Sequence, residues 1–127
     1  MNVVLWILQI LLAVAFLAHS WLMLAPPASV AVQMNAALPA RWFQIFIGVA
    51  ELLAAIGLTL PGITRIRPSL VAWAAAGLMV LMICATVFHL TRGEIGSAAT
   101  TAVLLALTAF VAYGRWRIRP IPPRTHA

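Results

Sequence analysis

The amino-acid sequence predicts an all-α fold, an up-down four-helix bundle built into a membrane, and three observations carry that prediction. First, 65% of the 127 residues are hydrophobic, only 8% are charged, and lysine is absent; that balance belongs to membrane spans rather than to a water-soluble core. Second, four apolar runs, roughly Val3 to Leu24, Trp42 to Leu60, Ser69 to Leu90 and Ala98 to Tyr113, each approach the ~20 residues a helix needs to cross a bilayer. Third, the segments between them are short and rich in helix breakers, which makes consecutive helices antiparallel neighbours. Hydrocarbon offers no hydrogen-bonding partners, so backbone groups must pair within the chain, and helix is the form in which a single run can do so alone.

The first run lacks a basic leader and stays apolar from Val3 as far as Ala25, longer than the apolar stretch of a signal peptide, so it is expected to remain as the first span. It is followed by "APPASVAVQMNAALPAR", whose three prolines read as a loop. The second run is expected to stop at the Pro-Gly turn of "PGITRIRP", and the third at "TRGEIGS", where two glycines lead into the fourth. Residues 1–114 thus make one four-span domain with no room for a separate soluble one. Residues 115–127, "RWRIRPIPPRTHA", form a basic, proline-rich tail expected to leave the membrane in extended or disordered form.

Charge gives the orientation. The net charge of +6 comes from eight arginines and two glutamates; Arg65, Arg67, Arg115, Arg117, Arg119 and Arg124 fall on the side shared by both termini, against Arg41 and Arg92 on the other. Six against two predicts a multi-pass protein of the cell membrane with both termini cytoplasmic. Arginines at the ends of spans meet lipid headgroups, which makes membrane lipid the expected partner and leaves no case for nucleic acid. Cys84 is the single cysteine, which excludes an intramolecular disulfide or a Cys-x-x-Cys relay.

Against this background Glu51 stands out, an acid inside the second run. Nine residues beyond Trp42, it lies ~13 Å below the helix end, near the middle of a ~30 Å hydrocarbon core. An ionisable group at that depth is a functional-site hypothesis, and it is expected to serve as a hydrogen-bond donor rather than as a free anion. Gln44, Gly48, Glu51 and Ala55 recur at spacings of four, three and four, one stripe of a helix expected to face the interior. Depth places His19 of the first run closer to Glu51 than His89 of the third, and His89 closer to Arg92 and Gln44. The constellation that can carry chemistry is therefore His19, Arg41, Gln44, Glu51, His89, Arg92 and Glu94, all in the outer half. Ordinary roles compete with this reading: anchoring for the arginines at helix ends, stabilisation of a helix N-terminus for Glu94, and plain hydrogen bonding for the histidines. Among the small residues, Gly48, Ala55, Gly57 and Gly77 are expected at packed interior seams, as are Ala72, Ala75, Ala76, Thr101 and Thr108.

The stretch "FIGVAELLAAIGLTLPGITRIRPSLVAWAAAGLMVLMICATVFHLTRGE" resembles the DoxX-like membrane proteins, whose second span reads G-x-x-E followed by G-L-x-x-P and whose third ends in H-x-x-R-G-E. Those positions are Gly48, Glu51, Gly57, Leu58, Pro61, His89, Arg92, Gly93 and Glu94. Many members carry a lysine near the end of the first span, where this chain has Met23 and its neighbours, so no ion pair of that lysine carries over. The family includes a subunit associated with thiosulfate:quinone oxidoreduction, partners of redox-defence proteins, and distant relatives that assist receptor assembly. The resemblance implies a small membrane component that binds a quinone-like or lipid-like molecule or another protein, not a particular reaction.

Three functions follow as expectations. In the first, the chain is an accessory subunit of a membrane redox system, with His19, Glu51 and His89 lining an outer-leaflet pocket and exchanging protons with a quinone-like or lipid-like ligand. Electrons would pass through a redox partner protein, since no intrinsic cofactor and no metal site is expected, and a haem held by His19 and His89 is disfavoured without further cofactor motifs. In the second, the chain is a non-enzymatic assembly factor for a client membrane protein. In the third it is a small transporter, which four spans and one central acid permit only as a homo-oligomer.

Overall fold

The computed structural model describes residues 1–125. Five α-helices occupy them: α1 Asn2–Leu24, α2 Ala28–Ala37, α3 Arg41–Thr64, α4 Leu70–Thr91 and α5 Ile95–Tyr113, the last continuing as a π-helical turn through Ile118. α1, α3, α4 and the α5 unit are each long and apolar enough to cross a membrane, and no strand occurs among the described residues. The expected all-helical membrane bundle is the observed one. One end of it, the terminal end, carries the chain's beginning, the α3–α4 connection and the tail; the other, the loop end, carries α2 and the α4–α5 connection.

The bundle is apolar on its outer surface as well as in most of its core. On α1 the interior face carries Leu5, Gln9, Leu12, Phe16 and Ser20, while Val3, Ile7, Val14, Leu17 and Trp21 are exposed at helical spacing. Such an exposed apolar stripe around buried Gln9, Gln44, Glu51, Thr108 and Arg115 is what lipid as a solvent selects. Since lipid tails are as apolar as leucine, the helices are held by close packing and interhelical hydrogen bonds rather than by exclusion of water.

The bundle is two tightly packed pairs, α1 with α3 and α4 with α5. In the first pair Gly48 brings the helices together: a Cβ there would stand 2.8 Å from the Leu24 side chain, closer than real contacts permit. In the second, the Thr86 and Thr101 hydroxyls bond across the seam at 2.8 Å. The pairs meet where a Cβ on Gly57 of α3 would lie 2.8 Å from that of Ala74 of α4, and within the first pair Gln9 of α1 donates to the Leu58 carbonyl of α3 at 2.7 Å. Ala55, Ala72 and Ala75 are buried as expected. Gly77 is not at a seam: it is exposed, and a Cβ added there would meet nothing within 4 Å.

Three expectations of local structure are corrected. The first connection is mostly helix, because its three prolines, Pro26, Pro27 and Pro39, flank Ala28–Ala37 instead of interrupting it; proline is compatible with a helix start and disfavours helix in the residue before it. The Pro-Gly pair does not turn the chain. α3 runs through Pro61 and Gly62 to Thr64, and the reversal comes at Arg65, in the left-handed region with φ 58°; neighbouring helices help a membrane helix tolerate such a proline. Finally, Arg115 does not reach out to headgroups. It is 4% exposed inside the bundle, and beyond Ile118 the chain is extended and strapped back, with the Arg124 amide donating to the Arg65 carbonyl at 3.0 Å.

Candidate functional site

Between the two helix pairs a groove of about 1600 Å³ runs along the bundle, from His89, Glu94 and Ser97 at the loop end to Pro61 and Leu70 towards the terminal end. Its walls are mostly apolar, including Phe46, Ala54, Leu78, Met82 and Leu104, and Gly77 opens one side of it. Met34 and Ala37 of α2 and the following Leu38 line its loop end. The titratable groups His19, Glu51, His89 and Glu94 all line it, which makes the groove amphipathic along its length, with these groups towards one end and hydrocarbon walls beyond.

Glu51 is placed by its stripe. Gln44, Gly48, Glu51 and Ala55 are all buried on the inner face of α3, as the spacing requires. Its carboxylate Oε2 lies 2.7 Å from Nδ1 of His19 on α1; the carboxyl is buried while the imidazole is nearly half exposed, at 45%. The order of proximity expected from depth is the observed one, and the two side chains meet across the tight α1–α3 seam. At this distance at least one proton lies between the two groups, since a bare carboxylate and an unprotonated nitrogen would repel. The buried acid thus has an ionisable partner that the groove can reach.

The remaining members divide differently from the expectation. His89 bonds through Nδ1 to Glu94 Oε2 at 2.5 Å, and Arg92 donates from Nε to Glu94 Oε1 at 2.9 Å. Glu94 lies outside the spans, and the His89 hydrogen bond followed by that of Arg92 holds its carboxyl below its ordinary range. Gln44 is bonded elsewhere: it accepts from Arg41 Nη1 at 2.9 Å and donates to Asn35 Oδ1 of α2 at 3.0 Å. Arg41 also donates to the Met23 and Leu24 carbonyls, so the exposed C-terminus of α1 is met by a cation from α3. Asn35 went unrecognised because its helix did; the eleven residues without a proline or glycine between Pro27 and Pro39 were the available signal.

A second polar cluster, outside the outer-half constellation, lies at the terminal end. Arg115 Nε donates to Gln9 Oε1 at 2.5 Å and Nη1 to Asn2 Oδ1 at 2.7 Å, with the guanidinium 5.2 Å from the Trp6 ring centroid. Among the described residues no group of three or more His, Cys, Asp or Glu side chains is arranged to hold a metal ion.

The sequence pattern of the DoxX-like family matches residues 7–111, a range that takes in most of α1, all of α2 to α4, most of α5 and both histidine–glutamate contacts. The chain belongs to the DoxX-like family. No curated protein and no solved structure matched it. Within this DoxX-like bundle the motif positions have distinct physical tasks: Gly48 and Gly57 set helix approaches, Glu51 holds His19, and His89, Arg92 and Glu94 bond one another at the α4–α5 turn.

Proposed function

We propose that this DoxX-like protein is an accessory subunit of a membrane redox system and that its lateral groove holds a quinone-like or lipid-like amphiphile. The observation that supports this most is the common lining of one long apolar groove by His19, Glu51, His89 and Glu94. A ligand with a polar head and a hydrocarbon tail fits that distribution: the head reaches the histidine–glutamate pairs and the tail lies along Leu78, Ala54 and Pro61. Histidine exchanges protons near neutral pH, and a histidine bonded to a buried carboxyl passes a proton between groove and interior without moving a helix. The protein's own part is to bind, orient and move protons, while electrons pass through a partner.

The test is native mass spectrometry of the full chain released from its own membrane, with bound small molecules identified by chromatography. A quinone-like or single-class lipid ligand, retained by the parent and reduced in Glu51→Gln, is the expected result. Phospholipids in the bulk proportions of the membrane, with retention unchanged in Glu51→Gln and a defined client protein recovered instead, would reject the reading in favour of an assembly factor.

A further inference from the structure

The terminal end contains a pocket of about 400 Å³ bounded by Asn2, Trp6, Ile63, Arg65, Arg119 and Ile121. It is made by the tail folding back: the Arg119 amide donates to the Gly114 carbonyl at 2.8 Å, the Arg124 amide donates to the Arg65 carbonyl at 3.0 Å, and Ile121 and Trp6 both pack over Gly62. Two separate segments thereby bring Arg65 and Arg119 to one pocket. Behind it sits Arg115, whose Nη1 bonds to Asn2 Oδ1 and to the Arg119 carbonyl, both residues that line the pocket. Its Nη2 is buried with no partner among the described residues.

Nothing in the sequence neutralises this concentration of charge from a side chain. The two acids, Glu51 and Glu94, are engaged in the groove by His19, His89 and Arg92. Arg65 and Arg119 line one pocket without an acid and the Arg115 guanidinium lies behind it; such a concentration of positive charge is repulsive until an anion enters, and the forked donors of arginine match the oxygens of a phosphate group.

We infer that this pocket is a phosphate-group site and that an anionic membrane lipid supplies the phosphate. The lipid source follows from the walls: Trp6, Ile63 and Ile121 line the pocket beside the arginines, and Ile63 is 69% exposed on the lipid-facing side of α3, so acyl chains continue from the headgroup along the bundle. Basic pockets at the cytoplasmic ends of spans are where such headgroups bind, in keeping with the orientation expected from arginine counts. The site is independent of the groove and of its proposed ligand.

The experiment uses the full chain in neutral detergent, titrated with phosphatidylglycerol, phosphatidylcholine or inorganic phosphate and read by native mass spectrometry. One phosphatidylglycerol should be retained in preference to phosphatidylcholine, and inorganic phosphate at millimolar concentration should not displace it. Arg65→Gln and Arg119→Gln should each weaken that retention about fivefold, while Arg117→Gln, outside the pocket lining, should leave it nearly unchanged. Equal retention of the two lipids by the parent would overturn the site without recourse to any variant. Equal losses in all three variants would reduce it to diffuse surface charge, and displacement by inorganic phosphate would overturn the lipid as its source.

Discussion

The two ends of the bundle each bury an ionisable side chain in the membrane-spanning region, and they hold it in opposite ways. At the terminal end Arg115 is held by neutral amides, Gln9 and Asn2, and Gln9 in turn binds the α3 backbone at Leu58. In the loop-end half, about midway along α3, Glu51 is held by His19, a titratable side chain that is nearly half exposed and lines the groove. Neutral amides cannot take up the charge of their partner, so the first arrangement is a fixed tie between α1, α3 and the end of α5. A histidine can, so the second can change its proton content while its atoms stay in place. The packing agrees: Arg115 sits against Gln9 and Asn2 away from the groove, whereas His19 and Glu51 line the groove between the helix pairs.

The largest effect expected from this difference is on stability at the terminal end. Gln9→Leu removes the Nε partner of a buried guanidinium and leaves its charge with the Asn2 amide and the Arg119 carbonyl, a loss of about 2–3 kcal/mol. Unfolding in mixed micelles, followed by circular dichroism against the denaturing detergent fraction, should show it directly. Replacing both members, Gln9→Leu with Arg115→Met, should recover most of the loss, because an apolar pair leaves no buried charge without a partner. A single variant as stable as the parent would mean that Arg115 reaches headgroups after all, and that the terminal end is no fixed tie.

A smaller effect is expected at Glu51, where function and stability should separate. Glu51→Ala removes an interhelical hydrogen bond and should cost about 1 kcal/mol in the same unfolding measurement. Glu51→Gln keeps a donor for His19 Nδ1 and should hold the bundle near parental stability, yet it removes the carboxyl that shares a proton with the imidazole. Nearly equal stability with lost ligand retention is the pattern expected of a proton-exchanging site. Equal retention in both would leave the pair as a helix tie like that of Gln9, erasing the functional contrast between the ends.

What the sequence revealed about each end follows from how local the relevant signal is. The spans were legible because hydropathy acts residue by residue, and the α3 stripe because Gln44, Gly48, Glu51 and Ala55 share one helix face. The His19–Glu51 contact was legible as a matching of depths, counted from the ends of the two helices at ~1.5 Å per residue. Arg115 was not, because it sits among arginines that reach water and only the π-helical turn after Tyr113 rotates it inward against Gln9. Gly77 failed for a related reason: a glycine suits a tight seam or an open groove equally well, and only the position of α3 decides which.

The smallest effect concerns the α4–α5 turn, where the contacts of Glu94 are exposed and so contribute little to overall stability. Its carboxyl is held below its ordinary value of 4.5, first by the His89 hydrogen bond and then by Arg92. A lowered carboxyl favours the folded turn above that ordinary value, and the advantage is lost as the pH falls through the lowered one. Local opening, not global unfolding, should report it. Hydrogen exchange at the amides of Gly93 and Ile95, corrected for the intrinsic dependence of exchange on acidity, should show more opening at pH 3 than at pH 6. Glu94→Gln removes the titrating group and should flatten that difference while α3 and the Glu51 contact stay protected. If the parent's turn is equally protected at both values, the His89–Glu94–Arg92 cluster does not hold the loop end, and the polar end of the groove is set by His19 and Glu51 alone.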